Sequence, residues 1–127
     1  SWRNLSQEQT SQLLTLAQKI KANGKVLGAI CDSAYFCAVN GLLNDVKHTN
    51  NDFDEIKDAA LYTNGENFIL TATEAVSDNK VVTAKGDSAL HFAVSVLRAL
   101  GDIPEENIQF FYTLHTEGFL KAIQKTN

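Results

Sequence analysis

The residue best placed for chemistry is Cys31, which follows the apolar run at 26–30 and opens a helical pattern with no turn residues between. A strand that turns directly into a helix holds such a side chain at the carboxyl end of the sheet. Backbone N–H groups at the start of the helix then stabilise negative charge on the sulfur. Small neighbours give the chain room to reverse, and they are Gly28, Ala29, Ser33 and Ala34. This arrangement predicts a nucleophilic thiol, with a small buried core cysteine as the alternative.

The elements that must position this thiol alternate between helical and strand patterns. Ser6 and Gln9 form a capping box for a helix whose end is marked by Asn23 and Gly24. A strand follows at 25–30, and the next helix is expected to span 32–43. The order helix, strand, helix favours a parallel sheet with helices on its faces. Further strands are predicted over 68–72 and 80–84, joined through 77–79, and further helices over 52–61, over 89–100 and from 102–106 onward.

Two stretches of the sequence resemble the ThiJ/PfpI family, a branch of the class I glutamine amidotransferase-like superfamily. Ala29-Ile30-Cys31, with the helix that Asn40-Gly41-Leu42-Leu43 closes, resembles its nucleophile elbow. Residues 81–90 resemble its late strand, glycine turn and last core helix. The resemblance comes closest to a poorly characterised bacterial, intracellular protease-like subgroup. It implies an α/β, flavodoxin-like three-layer sandwich with a mostly parallel sheet and a small β-hairpin.

The resemblance also bears on domain organisation, because it covers nearly the whole chain but only the later part of the family fold. Family members have an amino-terminal half with the first strands and an acidic residue that hydrogen-bonds the cysteine. Residues 1–127 are therefore expected to be the carboxyl-terminal part of a single domain. A sheet without those strands has an open edge and an uncovered face. We expect the chain not to fold alone, with the amino-terminal half supplied by another chain or segment, and we expect a homodimer.

Site residues follow from the same resemblance. It implies that Cys31 attacks a small-molecule substrate and that the backbone N–H of Asp32 stabilises the oxyanion. His48 is the second catalytic candidate, because in the family the chain after the elbow helix returns near the site. A solvated loop histidine is the alternative. Many active relatives have histidine directly after the cysteine, and Asp32 in its place argues against peptide hydrolysis.

The resemblance implies an enzyme of the hydrolase, amidase, glyoxalase or deglycase type that acts on a small electrophile. One alternative is a redox-sensing stress protein in which the Cys31 thiol oxidises to a sulfinate. A weaker alternative is a glutamine amidotransferase, in which His115 and Glu117 would complete a Cys-His-Glu triad. Turnover that is lost in Cys31→Ser favours the enzyme, whereas stable sulfinate without turnover favours the sensor.

Composition narrows the remaining possibilities. The net charge is -4 with no run of Lys or Arg, which disfavours binding to nucleic acid or to anionic membranes. Cys31 and Cys37 lie six residues apart on one predicted helix, a rise of about 9 Å, beyond the reach of about 7 Å for a disulfide. Two free thiols predict a reducing, cytoplasmic location. No cofactor and no metal are predicted.

Overall fold

The computed structural model describes residues 1–126, which form three strands, six α-helices and two 3-10 turns. The strands are β1 (Leu27–Ile30), β2 (Val76–Asp78) and β3 (Val81–Ala84). The helices are α1 (Gln7–Ala22), α2 (Asp32–Val39), α3 (Phe53–Ile56), α4 (Ala89–Leu100), α5 (Glu105–Glu117) and α6 (Phe119–Thr126). The 3-10 turns are Trp2–Asn4 and Gly65–Asn67. Within the described residues, none of the helices is long and apolar enough to cross a membrane.

The sheet has the order β1-β3-β2 and is mixed. β1 pairs with β3 in parallel, with Leu27 opposite Val81 and Ile30 opposite Ala84. β2 and β3 are antiparallel neighbours joined by the two residues Asn79 and Lys80. Both of these residues have positive φ, at 48° and 62°, as a tight two-residue hairpin turn requires. The central strand, β3, is buried along its whole length.

Helices cover both faces of the sheet, as the predicted sandwich requires. On one face, Leu27 and Ala29 join a core cluster with residues of α1 and α2, including Ala17 and Phe36. On the other face, α4 packs so closely that a Cβ at Gly28 would lie 3.0 Å from the ring of Phe92. Strand residues alternate between faces, so this four-residue strand separates two layers of helices. The predicted layers are confirmed, and they place the carboxyl end of β1 between α2 and α4.

Three predicted boundaries were wrong. The helix predicted over 52–61 spans only Phe53–Ile56. The strand predicted at 68–72 is reduced to an isolated bridge between His48 and Phe68, and Leu70 is 86% exposed. The hairpin partner of β3 is β2 instead, because the chain reverses at Asn79. The helix after Cys31 ends at Val39 rather than at residue 43, since Gly41 adopts a φ of 77° that ends a right-handed helix.

Candidate active site around Cys31

Cys31 lies at the sharp turn between β1 and α2. Its backbone N–H donates to the carbonyl of Ala84 on β3, at 3.0 Å. Its own carbonyl accepts the N–H groups of Ala34 and Tyr35, at 3.0 and 3.2 Å, and so begins the helix. To make both sets of hydrogen bonds, Cys31 adopts φ 58° and ψ -123°. This conformation costs a non-glycine residue about 1–3 kcal/mol. The side chain that results is exposed, as a nucleophile must be.

The sulfur has a specific polar neighbour, Asn51. The side-chain amide nitrogen of Asn51 lies 3.4 Å from Sγ of Cys31, and its amide oxygen lies 2.8 Å from the backbone nitrogen of Gly86. Because a backbone N–H can only donate, the oxygen of Asn51 must face Gly86 and the NH₂ group must face the sulfur. Asn51 therefore offers the sulfur a hydrogen-bond donor that cannot accept a proton from the thiol.

Gly86 provides the floor of the site. A Cβ at this position would lie 2.9 Å from Sγ of Cys31 and 3.3 Å from its Cβ. Glycine is needed here because the thiol occupies the space that a side chain at position 86 would fill. The loop after β3 thus contacts Cys31 directly at Gly86. It also contacts Cys31 indirectly, because the side-chain amide of Asn51 bridges the Gly86 N–H and the sulfur.

The backbone N–H of Asp32 is the first of α2, where helix geometry leaves it without an intrahelical acceptor. The Asp32 carboxylate is held by other groups, because its oxygens accept from the Ser1 hydroxyl at 2.6 Å and from Nε of Arg3 at 2.9 Å. Nη2 of Arg3 completes the ion pair at 2.8 Å from Oδ1. Hydrogen bonds from Ser1 and then Arg3 hold the pKa of this carboxyl below its usual range. An oxyanion-stabilising role for the Asp32 N–H stays a prediction.

His48 is placed differently from a solvated loop residue. Its side chain is fully buried, with Nδ1 2.8 Å from the carbonyl oxygen of Val46 and Nε2 2.6 Å from the hydroxyl of Tyr62. The carbonyl can only accept, so Nδ1 carries the proton and the neutral Nε2 accepts from Tyr62. Both ring nitrogens are thus engaged away from the sulfur, whose polar neighbour is Asn51. A catalytic role for His48 stays a prediction.

Burial gives His48 a testable effect on stability. Desolvation lowers its pKa, although the Val46 carbonyl acts in the opposite direction. The unfolded chain takes up this proton near pH 6.5 and the native chain only at lower pH, so the free energy of unfolding falls as pH decreases below about 6.5. The slope from this one group is at most about 1.4 kcal/mol per pH unit.

Urea unfolding between pH 5 and 7.5, on the chain with any polypeptide that co-purifies with it, measures this effect of His48. We expect His48→Gln to lower stability at neutral pH and to flatten the dependence. The matched control His115→Gln removes an exposed histidine and is expected to keep the slope. An unchanged slope in His48→Gln would contradict the assignment.

The alternative triad residues His115 and Glu117 lie on α5. His115 Nδ1 donates to the carbonyl of Phe111 at 2.9 Å, and Glu117 accepts from Lys125 of α6 at 2.6 Å. These contacts hold both side chains within the α5–α6 pair. Among residues 1–126, no hydrogen bond or ion pair joins either of them to Cys31, and their catalytic role stays a prediction.

The two thiols differ in their surroundings, which predicts selective alkylation. Cys31 is exposed, whereas Cys37 is buried in the core, and burial raises the pKa of Cys37 to about 11. At pH 8 only about one Cys37 side chain in a thousand is then ionised. We expect iodoacetamide at this pH to modify Cys31 at least about a hundredfold faster than Cys37. Peptide mass mapping measures both rates, and equal rates would contradict the arrangement.

Asn51 and Gly86 could not be recognised directly as site residues from the sequence. Asn51 belongs to the polar connection 47–51, where His48 drew attention because histidine is the usual acid or base. The available signal was the position of Gly86 two residues after a buried strand that ends beside Cys31, since glycine there permits close approach. Arg3 gave no sequence signal, because its partner Asp32 lies 29 residues away.

The geometry defines a three-layer α/β domain with an exposed cysteine at a strand–helix elbow. A model of the DJ-1/PfpI family matches residues 3–99, well over half of the 127 residues. The chain therefore belongs to the DJ-1/PfpI family, and the predicted resemblance is confirmed.

Two curated proteins of Bacillus subtilis (strain 168) are similar in sequence. The protein named "Uncharacterized protease YoaZ" is 37% identical over 92 residues, which cover 72% of this chain and 43% of that protein. The protein named "Uncharacterized protease YdeA" is 31% identical over 125 residues, which cover 98% of this chain and 60% of that protein. The chain thus spans about half the length of the curated relatives it matches.

Two solved structures share the fold. The DJ-1 superfamily protein Atu0886 from Agrobacterium tumefaciens superposes with a TM-score of 0.68 and 32% identity, over 80% of this chain and 55% of that one. A thiJ/pfpI family protein from Bacillus anthracis superposes with a TM-score of 0.72 and 27% identity, over 88% of this chain and 51% of that one. The flavodoxin-like fold class is confirmed, with a sheet that is small and mixed in this chain.

Proposed function

We propose that the protein is a cysteine-dependent hydrolase of a small electrophile, with Cys31 as its nucleophile. The observation that carries this proposal is an exposed thiol on a strained backbone at the start of α2, with an amide N–H directed at its sulfur. Strain of this kind persists only where the surrounding structure enforces it, and it is concentrated at functional sites. The family and the protease names of the two curated relatives support a hydrolytic role.

In the proposed reaction the sulfur of Cys31 attacks the carbonyl carbon of an amide or ester. The thiol proton leaves through water to the departing amine or alcohol, because Asn51 does not take up protons. The negative oxygen that forms accepts the N–H of Asp32. Collapse of this adduct breaks the bond to the leaving group and yields a thioester on Cys31. Water then hydrolyses the thioester, which releases a carboxylic acid and restores the thiol.

A reactive aldehyde such as methylglyoxal is the second substrate class to test. Its carbonyl carbon adds to the thiol as a hemithioacetal, with the proton transferred to the new oxygen. This addition needs the same exposed sulfur and the same oxyanion donor, so glyoxalase or deglycase chemistry would use the same two groups. The exposed setting of Cys31 favours small substrates of either kind.

The proposal is tested with a panel of activated amides, esters, thioesters and methylglyoxal, using the chain with any polypeptide that co-purifies with it. We expect turnover of at least one class, and its loss in Cys31→Ser, which keeps the size of the side chain. Cys37→Ala is the matched control because it removes the other thiol from the core, and it should retain activity. Activity that survives in Cys31→Ser would overturn the proposal.

A redox-sensing role is the second candidate, and the contact from Asn51 favours it specifically. Two equivalents of hydrogen peroxide would convert the thiol to a sulfinate, with each peroxide reduced to water. The NH₂ group of Asn51 would then donate to a sulfinate oxygen. Stable mass addition of two oxygens at Cys31, without turnover of any substrate class, would favour the sensor over the hydrolase.

We also propose that the working unit includes a further polypeptide segment beside β1. The N–H groups of Leu27 and Cys31 donate to the carbonyls of Lys80, directly before β3, and of Ala84 on β3. The backbone groups of the alternate residues Gly28 and Ile30 therefore point to the other side of the strand. Within residues 1–126 no strand pairs there, since the sheet order ends at β1. The relatives are about twice as long as the region that matches, so their remaining residues are numerous enough to supply a strand beside β1.

Native mass spectrometry and sedimentation velocity test the assembly. We expect the amino-terminal half of the same domain, as a second chain or segment, to associate with residues 1–127, and the reassembled unit to form a homodimer. A stable, cooperatively folding monomer of the 127-residue chain at micromolar concentration would contradict both expectations.

A further inference from the structure

Three consecutive residues at 1–3 converge on Asp32, the residue directly after the nucleophile. The Ser1 hydroxyl and the Arg3 guanidinium bind its carboxylate, and the indole N–H of Trp2 donates to its backbone carbonyl at 3.0 Å. Both the side chain and the peptide of Asp32 are therefore held by the short 3-10 turn Trp2–Asn4 and by Ser1, which caps it.

Aromatic packing fixes this turn in place. The Trp2 ring stacks on Tyr35 at 6.3 Å and meets Phe36 edge-on at 5.1 Å. The Arg3 guanidinium lies 4.6 Å from the centre of the Tyr35 ring and 4.9 Å from that of Trp2. A cation over two aromatic faces has little freedom to leave its carboxylate partner. The contacts tie the turn to the first half of α2, the helix that Cys31 opens.

The contacts to Asp32 affect Cys31 in two ways, through its backbone and through the charge near its sulfur. The strained backbone of Cys31 needs an anchored residue on its carboxyl side, which is Asp32. A free carboxylate next to the sulfur would also oppose negative charge on it and repel anionic reactants. The pairing with Arg3 compensates that charge, since Nε and Nη2 of the guanidinium both lie within 2.9 Å of Oδ1.

We propose that Arg3 and Trp2 are positioning residues for Cys31, and that they act by holding the peptide of Asp32 and compensating its charge. The inference rests on the proposed role of Cys31 as nucleophile. It explains how an aspartate can directly follow a nucleophilic cysteine. Because the Arg3–Asp32 ion pair has no net charge, the surroundings of the thiol favour neutral electrophiles.

Two alkylating reagents that differ in charge separate the electrostatic role from a merely structural one. Rates at Cys31 are measured by peptide mass mapping with neutral iodoacetamide and with anionic iodoacetate, on the chain with any co-purifying polypeptide. We expect Arg3→Gln to lower the iodoacetate-to-iodoacetamide rate ratio about two- to fivefold, because the charge of Asp32 is uncovered. Asp32→Asn should raise the ratio by a similar factor, and the double variant should restore it.

A second variant tests the positional role without changing charge. Trp2→Phe keeps an aromatic ring but removes the N–H donor to Asp32, and we expect it to slow both reagents equally. Arg98→Gln is the matched control, because Arg98 forms a similar exposed pair with Glu105 at the far end of α4. It should leave both rates at Cys31 unchanged.

The outcomes distinguish this inference from the proposed function. Equal ratios in Arg3→Gln and Arg98→Gln, or a double variant that does not restore the ratio, would overturn the charge compensation. Unchanged rates in Trp2→Phe would overturn the positional role. The expected ratios in a protein without any turnover would instead overturn the hydrolase and support the role of Arg3.

Discussion

Replacing Cys31 with alanine is expected to reduce turnover at least about a thousandfold, because the variant has no atom that can form the covalent intermediate. Asn51 and the N–H of Asp32 remain, so binding of substrate is expected to change little. The measurement is kcat and KM on the substrate class identified by the panel. A fall in activity that appears only as a higher KM would contradict a covalent role for the sulfur.

The strained backbone at Cys31 also predicts how substitutions there change stability. Alanine must keep the strained backbone with φ 58° and ψ -123°, whereas glycine adopts it without a clash of Cβ. We expect Cys31→Gly to have a free energy of unfolding about 1 kcal/mol higher than Cys31→Ala, even though glycine also makes the unfolded chain more flexible. Urea unfolding of the two variants under one condition measures the difference. A glycine variant less stable than the alanine variant would show that the turn stores no strain.

Gly86→Ala is expected to have the second largest effect, through the volume of one methyl group. Its Cβ would lie 2.9 Å from Sγ of Cys31, so the thiol or the loop after β3 must shift. Displacement by a fraction of an ångström or more is expected to slow turnover and alkylation at Cys31 by roughly tenfold or more. The crowding is also expected to lower stability by about 1–3 kcal/mol.

Lys85→Ala is the control for Gly86→Ala. It lies in the same loop, directly before the glycine, and adds no atom toward the sulfur. We expect Cys31 in Lys85→Ala to react at the rate of the unchanged protein. If Gly86→Ala reacts as fast as Lys85→Ala, the close approach of the loop to the thiol is not a feature of the protein in solution.

Much of the fold could be predicted because local signals and tertiary packing agree. The capping box of Ser6 and Gln9 forms at α1 as predicted, α4 spans Ala89–Leu100 as predicted, and β1 and α2 meet at Cys31. In each case the residues that start or end an element are neighbours in sequence. Their effect does not depend on what packs against them.

The errors arose where tertiary contacts decide. The apolar residues at 68–70 have strand propensity, but Phe68 packs on Phe53 and His48 and contributes one bridge instead of a strand. Burial of His48 likewise depends on Tyr62, whose position along the chain gives no sign of the contact.

The site itself was only half visible in the sequence. Cys31 could be found because the strand–cysteine–helix order is a local pattern that favours a nucleophile at the turn. Asn51 and Arg3 reach the site from 20 residues after the cysteine and 28 residues before it. Asparagine and arginine on polar segments are ordinary surface residues, and only their contacts with Cys31 and Asp32 distinguish these two.

The most direct test of the central claim is mass spectrometry of the protein quenched during turnover of an activated amide or ester. We expect a transient acyl group on the peptide that contains Cys31, which accumulates on mixing and decays as product forms. Its mass should equal that of the substrate minus the leaving group. An acyl group on another residue, or turnover with no covalent adduct and full activity in Cys31→Ser, would contradict the role of Cys31 as nucleophile.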